Sequence, residues 1–213
     1  MFGYPSKTAN LGMLGIIGGM AYYSSAQAHP FSQEEYSLRT AVTISDKGVV
    51  PLVVLEIPIP IALREIGATT DDPTEVKKRK ITSYNKLQWD TLSSNLVFTI
   101  DGQHVEGQWL SIDHPANGKA TEGFFVYMVS FQYAKPVAIH DDSKIVIEDK
   151  AYPEAKMVYS GSVTAKEPWV VVSSTSQQIL QEYETADLSE PKRWSKDPAL
   201  RNMEIVVRTM TAQ

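Results

Sequence analysis

The 213-residue chain contains no cysteine. That absence removes disulfide staples, thiolate zinc sites and cysteine nucleophiles together, so packing alone must hold the fold. Basic charge is also scarce: Lys and Arg total 20 against 25 for Asp and Glu, a net charge of −5. A nucleic-acid binder would carry a basic face for phosphates, so nucleic acid is not expected as a partner. The densest like-charge cluster is Lys77-Lys78-Arg79-Lys80, which reads as the solvated face of a helix. No G-x-S-x-G, no H-E-x-x-H, no phosphate-cradling glycine loop and no regular calcium loop occurs. Serine is plentiful, yet no recognisable motif places Ser, His and Asp together.

What is present is ordinary globular material, 43% hydrophobic and 21% charged. At this length about 70% of the unfolded chain's surface can be buried in a single domain. The strongest local signal stands at the start. Lys7 and the amino terminus are followed by the apolar stretch Leu11–Ala21, and Ser24-Ser25-Ala26-Gln27-Ala28 ends in an A-x-A site. Residues 1–28 therefore read as a cleaved signal peptide, or as a retained membrane anchor. Four glycines, at positions 12, 15, 18 and 19, weaken the second reading. Cleavage would leave His29 as the mature terminus. It would also remove Lys7, the only charged side chain of the segment, and take the net charge from −5 to −6.

From Tyr36 the pattern has period two. Tyr36, Leu38, Thr40, Val42 and Ile44 share one face of a predicted strand, and Asp46-Lys47-Gly48 supplies a turn. An apolar run spans Val49 to Ile61, where Pro58 and Pro60 must lie at a sheet edge or leave the sheet. Asp72-Pro73-Thr74-Glu75 predicts a helix start with Asp72 as N-cap, running to about Ser94 with Tyr84, Leu87 and Leu92 or Thr91 as its apolar stripe. Leu96–Ile100, Asp101-Gly102 and Val105–Ile112 predict a hairpin. Strands follow at Phe124–Tyr133, Ile145–Ile147, Met157–Tyr159, Trp169–Val172 and Glu204–Met210, with a short helix plus an irregular polar wrap over Gln177–Arg201. The expected fold is mainly β: an antiparallel β-sandwich with one or two short surface helices, formed by residues 29–213 as one extracytoplasmic domain.

Chemistry-bearing residues are few. A free amino terminus at His29 would give an amine-plus-imidazole chelate for copper or nickel, with His114 or His140 as a third ligand. Pro30 removes the amide that a square-planar site on successive backbone nitrogens would need. His114, within Asp113-His114-Pro115, has the competing reading of a turn residue. The acidic pairs Glu34-Glu35, Asp71-Asp72 and Asp141-Asp142 form no acid/base couple by themselves, because neighbours on a strand face opposite ways, and Asp71-Asp72 and Asp141-Asp142 read as caps and turns. Trp89, Trp109, Trp169 and Trp194 read as core and rim of a sandwich, the alternative being a sugar or peptide groove.

The order of a signal ending in A-x-A, His29-Pro30, Tyr36-Ser37-Leu38-Arg39 opening a strand, a helix, Asp101-Gly102, the long Phe124–Tyr133 strand and Tyr152 before a late strand pair resembles one family. It is similar to the extracytoplasmic domains that precede or accompany nickel/cobalt permeases of the hydrogenase- and urease-accessory type, over Ala28 to Ser174. The resemblance implies a membrane partner and metal handling, and it assigns no functional residue. The leading expectation is a non-catalytic accessory or scaffold domain, periplasmic or at the outer face of a membrane, docking on a membrane protein or complex and requiring no cofactor. The second is a periplasmic copper- or nickel-binding protein using His29. The third, a carbohydrate-active or hydrolytic enzyme, requires carboxylates that converge in a cleft.

Overall fold

The computed structural model describes residues 35–67, 69, 71–184 and 194–210. The expected leader, His29, Glu34 and residues 185–193 of the polar wrap lie outside them. Alternation sets the first two elements. In β1 (Tyr36–Ser45) Tyr36, Leu38, Thr40, Val42 and Ile44 are all buried, as their spacing predicts. β2 (Gly48–Pro58) returns antiparallel with Ser45 opposite Gly48, whose φ of 110° suits a residue without a Cβ. The strand ends at Pro58, and the chain turns at once into α1 (Ile59–Ile66), which Pro60 starts and Gly67 ends at φ 60°. The two prolines thus mark a strand-to-helix junction.

The second helix, α2 (Thr74–Asn95), is as long as predicted but differs in two details. Asp72 is not its cap: Pro73 holds that place, and the Asp72 carboxylate instead accepts from the Thr69 amide at 3.0 Å and Lys80 at 2.8 Å. Tyr84 and Leu92 are buried as expected, whereas Leu87 is 59% exposed and Gln88 takes its place in the stripe. The reason is angular. Residues 84, 88 and 92 repeat at one helical face, and position 87 falls a full residue step, about 100°, off it.

β3 (Leu96–Ile100) and β4 (Gln103–His104) form the expected Asp101-Gly102 hairpin, both turn residues at positive φ. The pairing stops there, contrary to the longer hairpin expected. β5 (Gly107–Ser111) crosses to the other sheet, and a Cβ on Gly107 would stand 2.2 Å from the Gln132 carbonyl oxygen. β6 (Lys119–Thr121) and β7 (Phe124–Tyr133) follow, then β8 (Lys144–Asp149), β9 (Met157–Ala165), β10 (Trp169–Ser174), α3 (Thr175–Glu184) and β11 (Asn202–Thr209).

The strands form two sheets in a mainly β, sandwich-like fold. One has the order β5-β7-β2-β1-β9 with β6 also on β7; the other has the order β10-β11-β8-β3-β4. Among the described residues three α-helices accompany them rather than one or two. The sheets are not wholly antiparallel, since β9 runs parallel to β1 with Met157 opposite Tyr36. The connection explains this. β8 ends in one sheet, residues 150–156 cross to the other, and β9 therefore enters at the end where β1 begins, with the Tyr36 amide bonded to the Lys156 carbonyl at 3.0 Å. The core lies between the sheets, where Phe98 meets Phe131 edge-on at 5.0 Å and Leu38, Leu55, Ile145 and Ile205 are at most 1% exposed. Each such aliphatic side chain contributes roughly 1.5–3 kcal/mol by leaving water.

Candidate interaction surfaces

The two helices meet the first sheet through a seam of phenols. Glu65, near the end of α1, accepts from Tyr36 at 2.5 Å on one carboxylate oxygen and from Tyr84 at 2.6 Å on the other. Tyr152 lies edge-on to Tyr36 at 5.6 Å and donates to Gln88 of α2, while Tyr127 donates to Asn85. Burial raises the pKa of Tyr36, Tyr84, Tyr127 and Tyr152, and for Tyr36 and Tyr84 acceptance by the Glu65 carboxylate raises it further. As hydrogen-bond donors these phenols fix α1, α2 and β1 to one another.

Outside this seam lies a shallow depression of about 450 Å³ between α1 and α2. Ile66, Val76 and Leu87 give it an apolar lining, and Arg79 and Lys80 give it cationic edges. Leu63, also on α1, is 44% exposed. Large apolar side chains left in water beside lysines and arginines are the notable feature of this face.

A second group of exposed apolar side chains lies at the β10 edge of the β10-β11-β8-β3-β4 sheet, whose outer face also carries the Lys144–Glu204 and Arg208–Asp142 ion pairs. Alternation sends Ile145, Ile147, Ile205 and Val207 inward and leaves Val146 and Val206 on the opposite face. Val170 and Val172 of the edge strand β10 join them, 36% and 51% exposed, while Trp169 and Val171 pack on the core. Met210, 47% exposed, is drawn beside β10 by its amide bond to the Pro168 carbonyl at 2.7 Å. Three of the six exposed large hydrophobic residues among the described ones thus gather at one sheet edge.

Charge lies beside residues 150–156, one of the segments that join the sheets. Arg201, in the 3-10 turn Pro198–Arg201, donates to the Tyr159 hydroxyl at 2.6 Å and to the carbonyls of Ala151 at 3.2 Å and Tyr152 at 2.9 Å. Asp149, 4% exposed, accepts from the Ala151 amide at 2.9 Å through Oδ1, and its Oδ2 meets no donor among the described residues. Burial pushes the Asp149 carboxyl up to about 6, opposed by that amide and by the Arg201 charge.

The residues singled out from sequence are spread over the molecule. His114 is exposed in the β5–β6 connection and accepts the Ala116 amide at 3.2 Å through Nδ1, a turn contact. His140 is exposed between β7 and β8, where its amide donates to Ser143 at 2.9 Å. His29 is outside the described residues. Among those residues no three His, Asp or Glu side chains group as a metal site. Asp141 holds the Thr209 amide and hydroxyl, and Asp142 pairs with Arg208, so this acidic pair is turn chemistry, as read. Trp109 is buried, and Trp89 donates to Asn117 at 3.0 Å. Sequence reasoning missed Leu63, Val170, Val172 and Met210, because an apolar residue in an apolar pattern looks the same whether or not a partner covers it. No helix of the described residues is long and apolar enough to cross a membrane. The chain matches no known family model and no curated protein.

Proposed function

We propose that this chain is a non-catalytic accessory domain held at the outer face of a membrane, where it docks on a membrane protein assembly. The observation that carries this reading is the gathering of Val170, Val172 and Met210 on the outer edge of a sheet whose outer face also carries the half-buried Val146 and Val206. Apolar side chains on a rigid sheet are a preformed contact surface, and ordering them on a partner costs little side-chain entropy. The export-type pattern of residues 1–28 and the family resemblance supply the membrane context.

The test is co-purification from gently solubilised native membranes. The wild-type chain is expected to bring down one partner in fixed ratio. Val170→Asp with Val172→Asp is expected to lose that partner while keeping the wild-type thermal midpoint, since both side chains are already exposed. A chain that is monomeric, leaves the membrane fraction and brings down nothing would sink the reading.

A further inference from the structure

We infer that Asn117-Gly118 is a site of spontaneous modification, gated by opening of the β5–β6 connection, where loss of ammonia leaves that connection unable to close again. The site is independent of the valine edge and of any membrane setting. Of Asn10, Asn85, Asn95, Asn117 and Asn202, only Asn117 precedes a glycine. Without a Cβ on the following residue, the next amide nitrogen can swing freely onto the asparagine side chain, so this pair is the reactive one in an unfolded chain. The folded chain holds both reacting groups elsewhere. The Gly118 amide donates to the Val126 carbonyl at 2.7 Å. The Asn117 carboxamide lies across Met128 of β7. Its Nδ2 donates to the carbonyls of Met128 at 3.0 Å and Ile112 at 2.8 Å, with Ser111 Oγ at 3.1 Å. Its Oδ1 accepts from the Met128 amide at 2.9 Å and from Trp89 Nε1 at 3.0 Å. The side chain thus serves β7 as a neighbouring strand residue would. Gly118 is equally constrained: its φ is 72°, and a Cβ there would stand 2.7 Å from the Trp89 ring. The packing therefore requires the labile pair that it protects.

Reaction needs both sets of contacts broken. Once the segment between β5 and β6 opens, the Gly118 nitrogen attacks Cγ of Asn117. The new N–Cγ bond displaces Nδ2, which leaves as ammonia with the proton given up by the Gly118 amide. Water then adds to either carbonyl of the five-membered imide and breaks one of its ring C–N bonds. Attack at Cγ gives aspartate at position 117; attack at the main-chain carbonyl gives an isoaspartyl link that runs the backbone through the side chain. Either product holds a carboxylate in place of the amide. A carboxylate still accepts from the Met128 amide and Trp89 Nε1, but it has no proton for the Ile112 and Met128 carbonyls and sets a negative charge against both. Closure would leave two acceptors unmet beside an anion, so a molecule that reacts while open stays open.

The test holds the full chain, folded or unfolded in urea, at mildly alkaline pH and physiological temperature. Peptide mapping by mass spectrometry follows conversion at Asn117, with Asn85, Asn95 and Asn202 as internal references, and isoaspartyl methyltransferase labelling marks the rearranged product. Reaction from the open state alone makes the folded rate the unfolded rate multiplied by the open fraction, so Asn117 should convert at least about tenfold more slowly in the folded chain. Trp89→Phe removes the Nε1 donor and keeps a ring beside Gly118. It should raise the folded rate several-fold and leave the unfolded rate unchanged; if it does not fold, Ser111→Ala, at an exposed site, gives the same comparison with a smaller rise. Equal folded and unfolded rates, or a folded variant that reacts no faster than wild type, overturn the gating by these contacts. A folded rate that climbs with urea as steeply as global unfolding overturns the assignment to the β5–β6 connection. Converted molecules, separated on an anion exchanger by their added negative charge, should exchange the Met128 amide hydrogen faster than unconverted ones. Identical exchange in the two pools overturns the one-way step.

Discussion

Asp149 is the residue whose environment departs furthest from its chemistry. It is nearly solvent-free, one carboxylate oxygen lacks a donor among the described residues, and the nearby Arg201 directs its hydrogen bonds to Tyr159, Ala151 and Tyr152. Its pKa rises from 3.8 to about 6, so the folded state holds the proton more tightly than the unfolded state does. The resulting stability is fully present below about pH 4 and is lost as pH rises through 6. At about 1.36 kcal/mol per unit, ionisation at neutral pH costs on the order of 2–3 kcal/mol before local relaxation. Asp149→Asn keeps the acceptor for the Ala151 amide and removes the charge. It should raise stability by roughly 1–2 kcal/mol at pH 7.5, with the gain shrinking toward zero near pH 4. Urea titrations at the two pH values check this, and a loss of stability at both would mean that Arg201 needs the carboxylate as its counter-ion. None of this was legible in the sequence, where Asp149 is one acidic residue at the end of a short strand pattern.

At the scale of elements, legibility followed the range of the contacts that decide the outcome. β1 could be read because alternation is a property of its own ten residues. The Asp101-Gly102 turn could be read because positive φ is a local demand that Gly, and to a lesser degree Asp, can meet. α1 was hidden inside the apolar run of β2, with Pro58 and Pro60 as the only marks of its start. The stripe of α2 was misassigned because Gln88 is held inside by Tyr152, 64 residues away, and no local pattern favours glutamine over Leu87 as the buried residue. The two leucines of this helix therefore make a paired test. Leu92→Ala, at a fully buried site, should cost about 2–5 kcal/mol, whereas Leu87→Ala should stay within about 0.5 kcal/mol of wild type. Equal costs in urea unfolding would show that Leu87 is covered in solution. The exposure of Leu87 is also what made the α1–α2 face a candidate, so misreading the stripe and missing the surface were one error.

For the whole molecule, the central question is what makes two sheets behave as one body. The hairpins within each sheet do not do it, since β1-β2 and β3-β4 stay on one side. Joining falls to the crossings, and residues 150–156 carry one that is tied down by a side chain: β8 leaves one sheet, β9 enters the other beside β1, and Arg201 spans the step from just before β11. Its guanidinium serves the Tyr159 hydroxyl on β9 and the two loop carbonyls, and lies 5.6 Å from the Tyr159 ring centroid. The parallel β1–β9 pairing that the sequence did not foretell follows from this crossing, and Arg201 holds the crossing through its two carbonyls and Tyr159. Arg201→Met keeps much of the side-chain volume and removes the donors, leaving partly buried acceptors unmet at roughly 1–3 kcal/mol each. The expected loss is about 2–4 kcal/mol, since water can reach some of those carbonyls once the guanidinium is gone. Its form is more diagnostic than its size. The wild type should unfold in one transition seen alike by tryptophan fluorescence and far-ultraviolet circular dichroism, whereas the variant should show the two signals separating as the sheets uncouple. Coincident transitions in the variant, with a loss below about 1 kcal/mol, would move the joining of the sheets to the core between them and leave Arg201 as a local loop contact.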